Sequence, residues 1–360
     1  MMVDEQAKGG QISEMVRKVN EHMTGLTNIS PHVLSDYESA KLREGKAEFI
    51  IDRILRKGFR RRADSNRRAK VAAKVGRCVA EDLPLGFTVP FGGYKHFWNP
   101  SHPTPDWAEV IHFRQMVRYF QPILAVHKPG IELEYVSEDL IVPRMDNYPD
   151  AAIEAYCGNF TQLVAWYDRF VPSNLKMTFW RLGDRYDRRA IVSRVEEALP
   201  ARIAAFHDLS PERQSHELRR SVRSVFWNGR YDLTGLDAEE KHARVIEARV
   251  MEKAFSDIAF GADFAGAYYD DGNRLCTCFS FGMSTDNDVR CFLTVQSSPG
   301  SIVDHWIGRG VIYELPNGLR STIVSRLQYQ ELVHRIVVVP VDNPPLDHIN
   351  YRSIDLIRQQ

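Results

Sequence analysis

Cysteine is scarce in this chain. There are five in 360 residues, without framework spacing, which excludes a disulfide-built scaffold and leads us to expect a reducing compartment, the cytoplasm. Net charge is missing too, because 47 Lys and Arg balance 47 Asp and Glu. No run of about 18 apolar residues occurs, so no membrane-spanning helix is expected. The opening MMVDEQAKGGQISEM lacks the apolar centre of a secretory signal. There is also no Walker A loop, no G-x-G-x-x-G, no G-x-S-x-G and no H-E-x-x-H. Nucleotide hydrolysis, dinucleotide redox chemistry and α/β-hydrolase chemistry therefore have no motif to rest on. Cys276-Thr277-Cys278, Cys291 and His305 do not make a zinc pattern, since C-x-C sends both thiols the same way along a strand and the other ligands are distant. We expect no metal and no cofactor.

What is present reads as an ordinary globular chain, 44% hydrophobic and 26% charged. The balanced charge hides one asymmetry: between Arg53 and Arg77 stand eleven Lys and Arg against the single acid Asp64. Such a field attracts phosphates. It fits a solvated helical face, a phosphate pocket built from a few of the side chains, or a nucleic-acid surface.

Residues 1–45 are polar without a sustained period and are expected to be partly disordered. Phe49, Ile50, Ile54 and Leu55 predict a helix from Lys46, and a basic helix follows to Val79. GFTVPF (86–91) predicts a strand. A loop rich in glycine, proline and aromatics comes next (92–105), and Thr104-Pro105-Asp106 begins a helix. Along that helix Trp107, Val110, Phe113, Val117, Phe120 and Leu124 form one stripe. IELEYV (131–136) alternates like a strand. Further helices are expected at 150–168, 186–207, 211–226 and from Asp237, with a strand at 175–180.

After Gly261 short β-rich runs (264–269, 275–283, 289–296, 302–314, 319–327, 335–341) suggest an antiparallel meander. The fold class is therefore α/β: an open Rossmann-like sheet with flanking helices and a β-rich C-terminal part. We divide the chain into an N-terminal segment 1–45, an α/β catalytic domain 46–260, a β-rich part of the same domain 261–345 and a tail 346–360.

The loop at 92–105 follows a strand and precedes a helix, a place that suits an anionic ligand. Lys95 supplies a charge, Tyr94 and Trp98 flat walls, and His96 a titrating group. Beyond the second strand lie Ser137, Asp139 and Arg144; the carboxylates there are placed to bind an amine or sugar hydroxyls, or equally to cap helices and form surface salt bridges. In Asp304-His305-Trp306, adjacent strand residues face opposite ways, so His305 faces either a pocket or the core.

VPFGGYKHFWNP (89–100), PDWAEV (105–110), IELEYVSEDLIVPRMDNY (131–148), ARVIEARVMEKAFSDI (243–258) and DHWIGRGVIYELPNGLRSTIVSR (304–326) together resemble the isocyanide synthase family, also called the pyoverdine/dityrosine biosynthesis family. The points of contact spread from Lys46 to Arg326. The family's compact lysine-serine-proline-asparagine stretch is a longer aromatic loop here, and its histidine-proline signature reads TVQSSP. The resemblance implies a cofactor-free transferase or synthase of secondary metabolism that condenses an amino acid or related amine with a phosphorylated sugar such as ribulose 5-phosphate. In that reading Lys95 and Arg60 or Arg67 hold the phosphate and Asp139 holds the amine. His96 or His305 moves protons, and Ser137, Arg144, Tyr94, Trp98 and Trp306 complete the binding site. The alternatives are a transferase with a nucleotide-activated or other phosphorylated donor, and a nucleic-acid-binding protein using 53–77.

Overall fold

The run LGFTVPF is apolar or neutral at every position, and such a strand needs cover on both faces. It forms β1 (Leu85–Phe91), all seven residues buried. The computed structural model describes residues 2–60, 68–95, 98, 103–140, 148–227, 231–259, 274–276, 293 and 295–359. In it, β2 (Ile131–Ser137) and β3 (Leu175–Arg181) add successively to one edge of β1, and the short β4 (Arg274–Cys276) adds to the other. The order is β3-β2-β1-β4, every pair parallel. The expected open parallel sheet is thus present. Residues 274–276 belong to it and not to an antiparallel meander. The rest of the run expected from 275, together with 264–269 and most of 289–296, lies outside the described residues.

Helices cover this sheet. α1 (Met2–Thr24), α2 (Asp36–Glu44), α3 (Lys46–Ile54) and α4 (Arg68–Ala80) precede β1. The segment 1–45, expected to be polar and partly disordered, carries α1 and α2: Val19, Met23 and Leu26 sit buried in the main core, and Ser35 with Glu38 closes a capping box on α2. α5 (Trp107–Leu124) crosses from β1 to β2 and α6 (Asp150–Asp168) from β2 to β3. The cap of α5 is Asp106 rather than Thr104: its carboxylate accepts from the Ala108 N–H while Glu109 accepts from the Asp106 N–H. The predicted stripe of α5 is buried. So are Ile111 and Gln115, on the face where a second sheet packs behind this helix, and Tyr119, whose hydroxyl donates to the Ile54 carbonyl at the end of α3. α7 (Leu182–Arg185), α8 (Arg188–His207), α9 (Pro211–Trp227) and α10 (Ala238–Ala259) follow. Phe206, Leu218, Val245 and Val250 form a separate apolar cluster among the last three.

The second sheet contains β5 (Arg309–Leu315), β6 (Gly318–Val324), β7 (Ile336–Pro340) and β8 (Ser353–Ile357), with α11 (Arg326–Leu332) between β6 and β7. Its order is β6-β5-β8-β7. The β5–β6 and β7–β8 pairs are antiparallel, but β5 and β8 run parallel, so this is not a simple meander. Residues 353–357, assigned by sequence to a tail, form an inner strand. Its buried Ile354, Leu356 and Ile357 explain why it is drawn in.

Gly130, just before β2, has φ +81°, and a Cβ there would lie 1.9 Å from the Asn174 carbonyl oxygen. Only glycine fits that turn. Among the described residues no helix is long and apolar enough to cross a membrane.

Candidate functional site

Chain order reverses at β1. The crossovers through α5 and α6 lead to one side, while β4 returns on the other. In an open parallel sheet the carboxyl end of the strand at such a reversal borders a crevice where ligands gather. Here that end is Phe91, followed by Gly92, Gly93, Tyr94 and Lys95.

Tyr94 and Lys95 adopt φ of 46° and 56°, consecutive non-glycine residues in the left-handed region. Each such residue costs roughly 1–2 kcal/mol, so the surroundings must hold them there. The Lys95 N–H donates to the Trp306 carbonyl at 2.9 Å, the Trp98 N–H to the Lys95 carbonyl at 2.9 Å, and the Trp98 indole N–H to the Ile307 carbonyl at 2.9 Å. Gly93 lies so close to Ile307 and Trp306 that a Cβ would come within 2.2 and 2.5 Å of their side chains. The turn is therefore clamped onto the 304–308 segment.

The side chains point inward. Lys95 is 1% exposed. Its ammonium donates to the Gly308 carbonyl and to Asp106 Oδ1 at 3.1 Å, and lies 3.3 Å from Glu109 Oε1. Glu109 is fully buried and also accepts from the Tyr156 hydroxyl at 2.8 Å. Burial pushes its carboxyl up to about 8, against the pull of Lys95. Proximity alone would make Glu109 a second ionic partner of Lys95, yet a charged Glu109 would leave two buried carboxylates against one cation. We therefore read Lys95 and Asp106 as the ion pair and Glu109 as the neutral, proton-holding neighbour at pH 7.

On the other side of the turn the Tyr94 hydroxyl meets Ser137 Oγ at 2.9 Å, and Ser137 Oγ lies 3.4 Å from Cys157 Sγ. Burial pushes the Cys157 thiol up to about 12, so it carries no thiolate to act as a nucleophile. Asp139, just past β2, is 5% exposed. It accepts from Arg181 Nε and Nη2 at 3.1 and 2.9 Å and from the Gly183 N–H at 3.1 Å. Burial raises its carboxyl above the usual range, and these donors pull the other way. Arg181 also holds Glu154, an exposed side chain.

Of the residues singled out from sequence, Tyr94, Lys95, Ser137, Asp139 and Trp306 meet at this end of the sheet. Trp98 stands beside them, edge-on to Tyr329 at 5.2 Å, with the Arg309 guanidinium 5.7 Å from its own ring. Lys95 was expected to hold a phosphate; here its ammonium meets the protein acceptors Gly308, Asp106 and Glu109. His305 and Trp306 occupy a turn before β5 and not a strand. The His305 ring is buried and stacked on His112 with centroids 3.9 Å apart. Arg60 lies elsewhere: it bridges Val295, next to Phe59, whose ring packs on Tyr119 well along α5 from Asp106. His96, Arg67 and Arg144 are outside the described residues.

Sequence reasoning missed Glu109 as a proton holder, along with Tyr156 and Arg181. The signal for Glu109 was the Asp-x-x-Glu capping box, which read only as a helix start. Several charges of the basic run are held internally: Arg53 by Glu38, Arg68 by Asp52 and Glu48, and Arg56 by the carbonyls of Arg118 and Tyr119. Among the described residues no group of three or more His, Cys, Asp or Glu could hold a metal ion.

No family model matches this chain, and no curated protein matches it significantly. Among solved structures, the PvcA protein from Pseudomonas aeruginosa is similar in fold. The TM-score is 0.58 at 16% sequence identity, and the match covers 86% of this chain and all of that one.

Proposed function

We propose that the chain is an isocyanide-synthase-like biosynthetic enzyme that condenses an amino acid or related amine with a phosphorylated sugar such as ribulose 5-phosphate. The observation that carries this reading is the fold shared with PvcA over that protein's whole length, with buried acid–base groups converging at the carboxyl end of β1. The sequence resemblance to the isocyanide synthases points the same way.

In this reading Asp139 receives the amine. Its two oxygens offer about four acceptor sites, of which Arg181 and Gly183 occupy three. Arg181 takes the anionic end of a substrate by exchanging Glu154, since an exposed carboxylate is a weak competitor. The neutral amine nitrogen attacks the sugar ketone, a carbon–nitrogen double bond replaces the carbon–oxygen double bond, and the oxygen leaves as water. The two protons lost by nitrogen balance the two gained by oxygen. Glu109, protonated near neutral pH, and His305 are the groups assigned to that traffic. Lys95 holds the turn in shape and pairs with Asp106 beside Glu109.

The test is incubation of purified protein with amino acids and ribulose 5-phosphate, following mass and phosphate release. We expect consumption of one amino acid with the pentose phosphate, and a loss of roughly 10²-fold or more in Glu109→Gln, the order of an acid–base group. If no amino acid and no pentose phosphate is consumed or bound, the reading fails. Thermal stabilisation by nucleotides but not pentose phosphates would favour a nucleotide-activated donor. Binding of nucleic acid that falls steeply with salt would favour the basic run as its surface.

A further inference from the structure

A cleft of about 360 Å³ opens on the other side of α5, between the end of α1, β6 and Pro299. Its α5 wall is Ile111, Arg114, Gln115 and Arg118. At 100° per residue these cluster roughly opposite Glu109, Phe113 and Met116, which face the parallel sheet. The cleft is therefore not part of the carboxyl-end site.

Its chemistry is one-sided. Arg114 and Arg118 from α5 meet Arg320 from β6, and none of the residues lining it carries a carboxylate. Arg56, buried against the Arg118 carbonyl, adds to the positive field from behind. Three guanidinium groups around one recess repel each other unless an anion joins them, and their forked donors match phosphate oxygens. Among the described residues one Arg114 Nη is buried without a hydrogen-bond partner. Gln115 is 3% exposed, and among the described residues its side-chain oxygen also has no partner. An amide oxygen accepts, so it calls for a donor that a phosphate dianion does not have. At the base of the recess His22 Nε2 and Ser321 Oγ are joined at 2.6 Å, and Leu26 and Leu319 supply an apolar wall.

The geometry points to a second small-molecule site, which takes a hydroxylated organic phosphate: the phosphate on Arg114, Arg118 and Arg320, and a hydroxyl of the ligand body on the Gln115 oxygen. The volume lies at the lower end for small-molecule pockets, suited to a compact phosphate monoester and not to a dinucleotide. The site stands whether or not the reaction at the carboxyl end is the one proposed.

Calorimetric titration of the full chain with ribose 5-phosphate, inorganic phosphate and ribose tests this. Ribose 5-phosphate binds, inorganic phosphate binds at least tenfold more weakly, and ribose gives no heat. The double variant R114Q/R320Q weakens ribose 5-phosphate at least thirtyfold. Gln115→Leu weakens ribose 5-phosphate but not inorganic phosphate, and Arg181→Gln leaves this binding unchanged. Arg320→Gln alone changes only an exposed side chain, so it gives the same direction of effect should the double variant fold poorly. A two-component isotherm, with one component lost in R114Q/R320Q and the other in Arg181→Gln, also supports the site. Absence of binding, binding untouched by the arginine variants, inorganic phosphate binding as tightly as the ester, or a single component lost in Arg181→Gln overturns it.

Discussion

Replacing Lys95 with methionine keeps the length of the side chain and removes its charge. At 3.1 Å from Asp106 and an effective dielectric of about 20, the lost attraction is about 5 kcal/mol before the relief of desolvating the ammonium is counted. Removing one partner of a buried pair leaves a net cost of roughly 3–5 kcal/mol, because the other charge stays behind. Asp106→Asn should cost much less. Asparagine caps α5 as well as aspartate does, and the fully buried Glu109, 3.3 Å from the ammonium, then ionises in place of Asp106. The double variant K95M/D106N removes both charges together and should be more stable than K95M. Urea unfolding, followed by tryptophan fluorescence and circular dichroism, gives all four corners of the cycle. If K95M lies within about 1 kcal/mol of the parent, or the double variant equals the sum of the singles, the ionic clamp is wrong. A small stability cost combined with lost phosphate binding would restore Lys95 to the role of ligand residue.

The raised carboxyl of Glu109 gives a pH test. Its native value of about 8 lies above the ordinary 4.5, so over that window the folded chain holds a proton that the unfolded chain releases. Stability should therefore fall as pH rises from about 5 to 8, by at most about 1.4 kcal/mol per pH unit from this group, with the slope lost in Glu109→Gln. Tyr135 is fully buried, and among the described residues its hydroxyl has no hydrogen-bond partner. Tyr135→Phe should raise unfolding stability by about 1 kcal/mol, and a loss of that size would mean the hydroxyl is satisfied. Gly93→Ala drives a methyl into Ile307 and Trp306 and should lower stability by about 1–3 kcal/mol, read as a fall in melting temperature. An unchanged melting curve would show that the 304–308 segment gives way.

The parallel sheet was legible because its signals are local. GFTVPF carries no charge, IELEYV alternates, and the α5 stripe recurs at helical spacing. The second sheet was legible only in part. The hairpin at LPNG announces itself with Gly318 at φ +125°, but nothing in SIDLI says that it slips between β5 and β7. α1 was missed because its buried core contribution comes from Val19 and Met23 in an otherwise polar stretch. At the candidate site Tyr94, Lys95, Ser137, Asp139 and Trp306 come together, and Lys95, expected to hold a phosphate, contacts Gly308, Asp106 and Glu109. A lysine in a glycine-rich loop reads as a free charge, and its partners Asp106 and Glu109 sit behind a loop whose path sequence does not fix. The arginine-lined cleft was invisible for a related reason. Arg114 and Arg118 belong to one helix and Arg320 to a strand some 200 residues later, and only the packing of the second sheet on α5 joins them.

Lys95 answers two demands that no single residue type meets. Its dihedrals ask for glycine and its partners ask for an ammonium group. Glycine there would relax the backbone by about 1–2 kcal/mol and forfeit the larger electrostatic gain, while any other uncharged residue would fail on both counts. Drift at position 95 is therefore trapped unless Asp106 changes in the same lineage, and the two positions should vary together or stay fixed together across relatives.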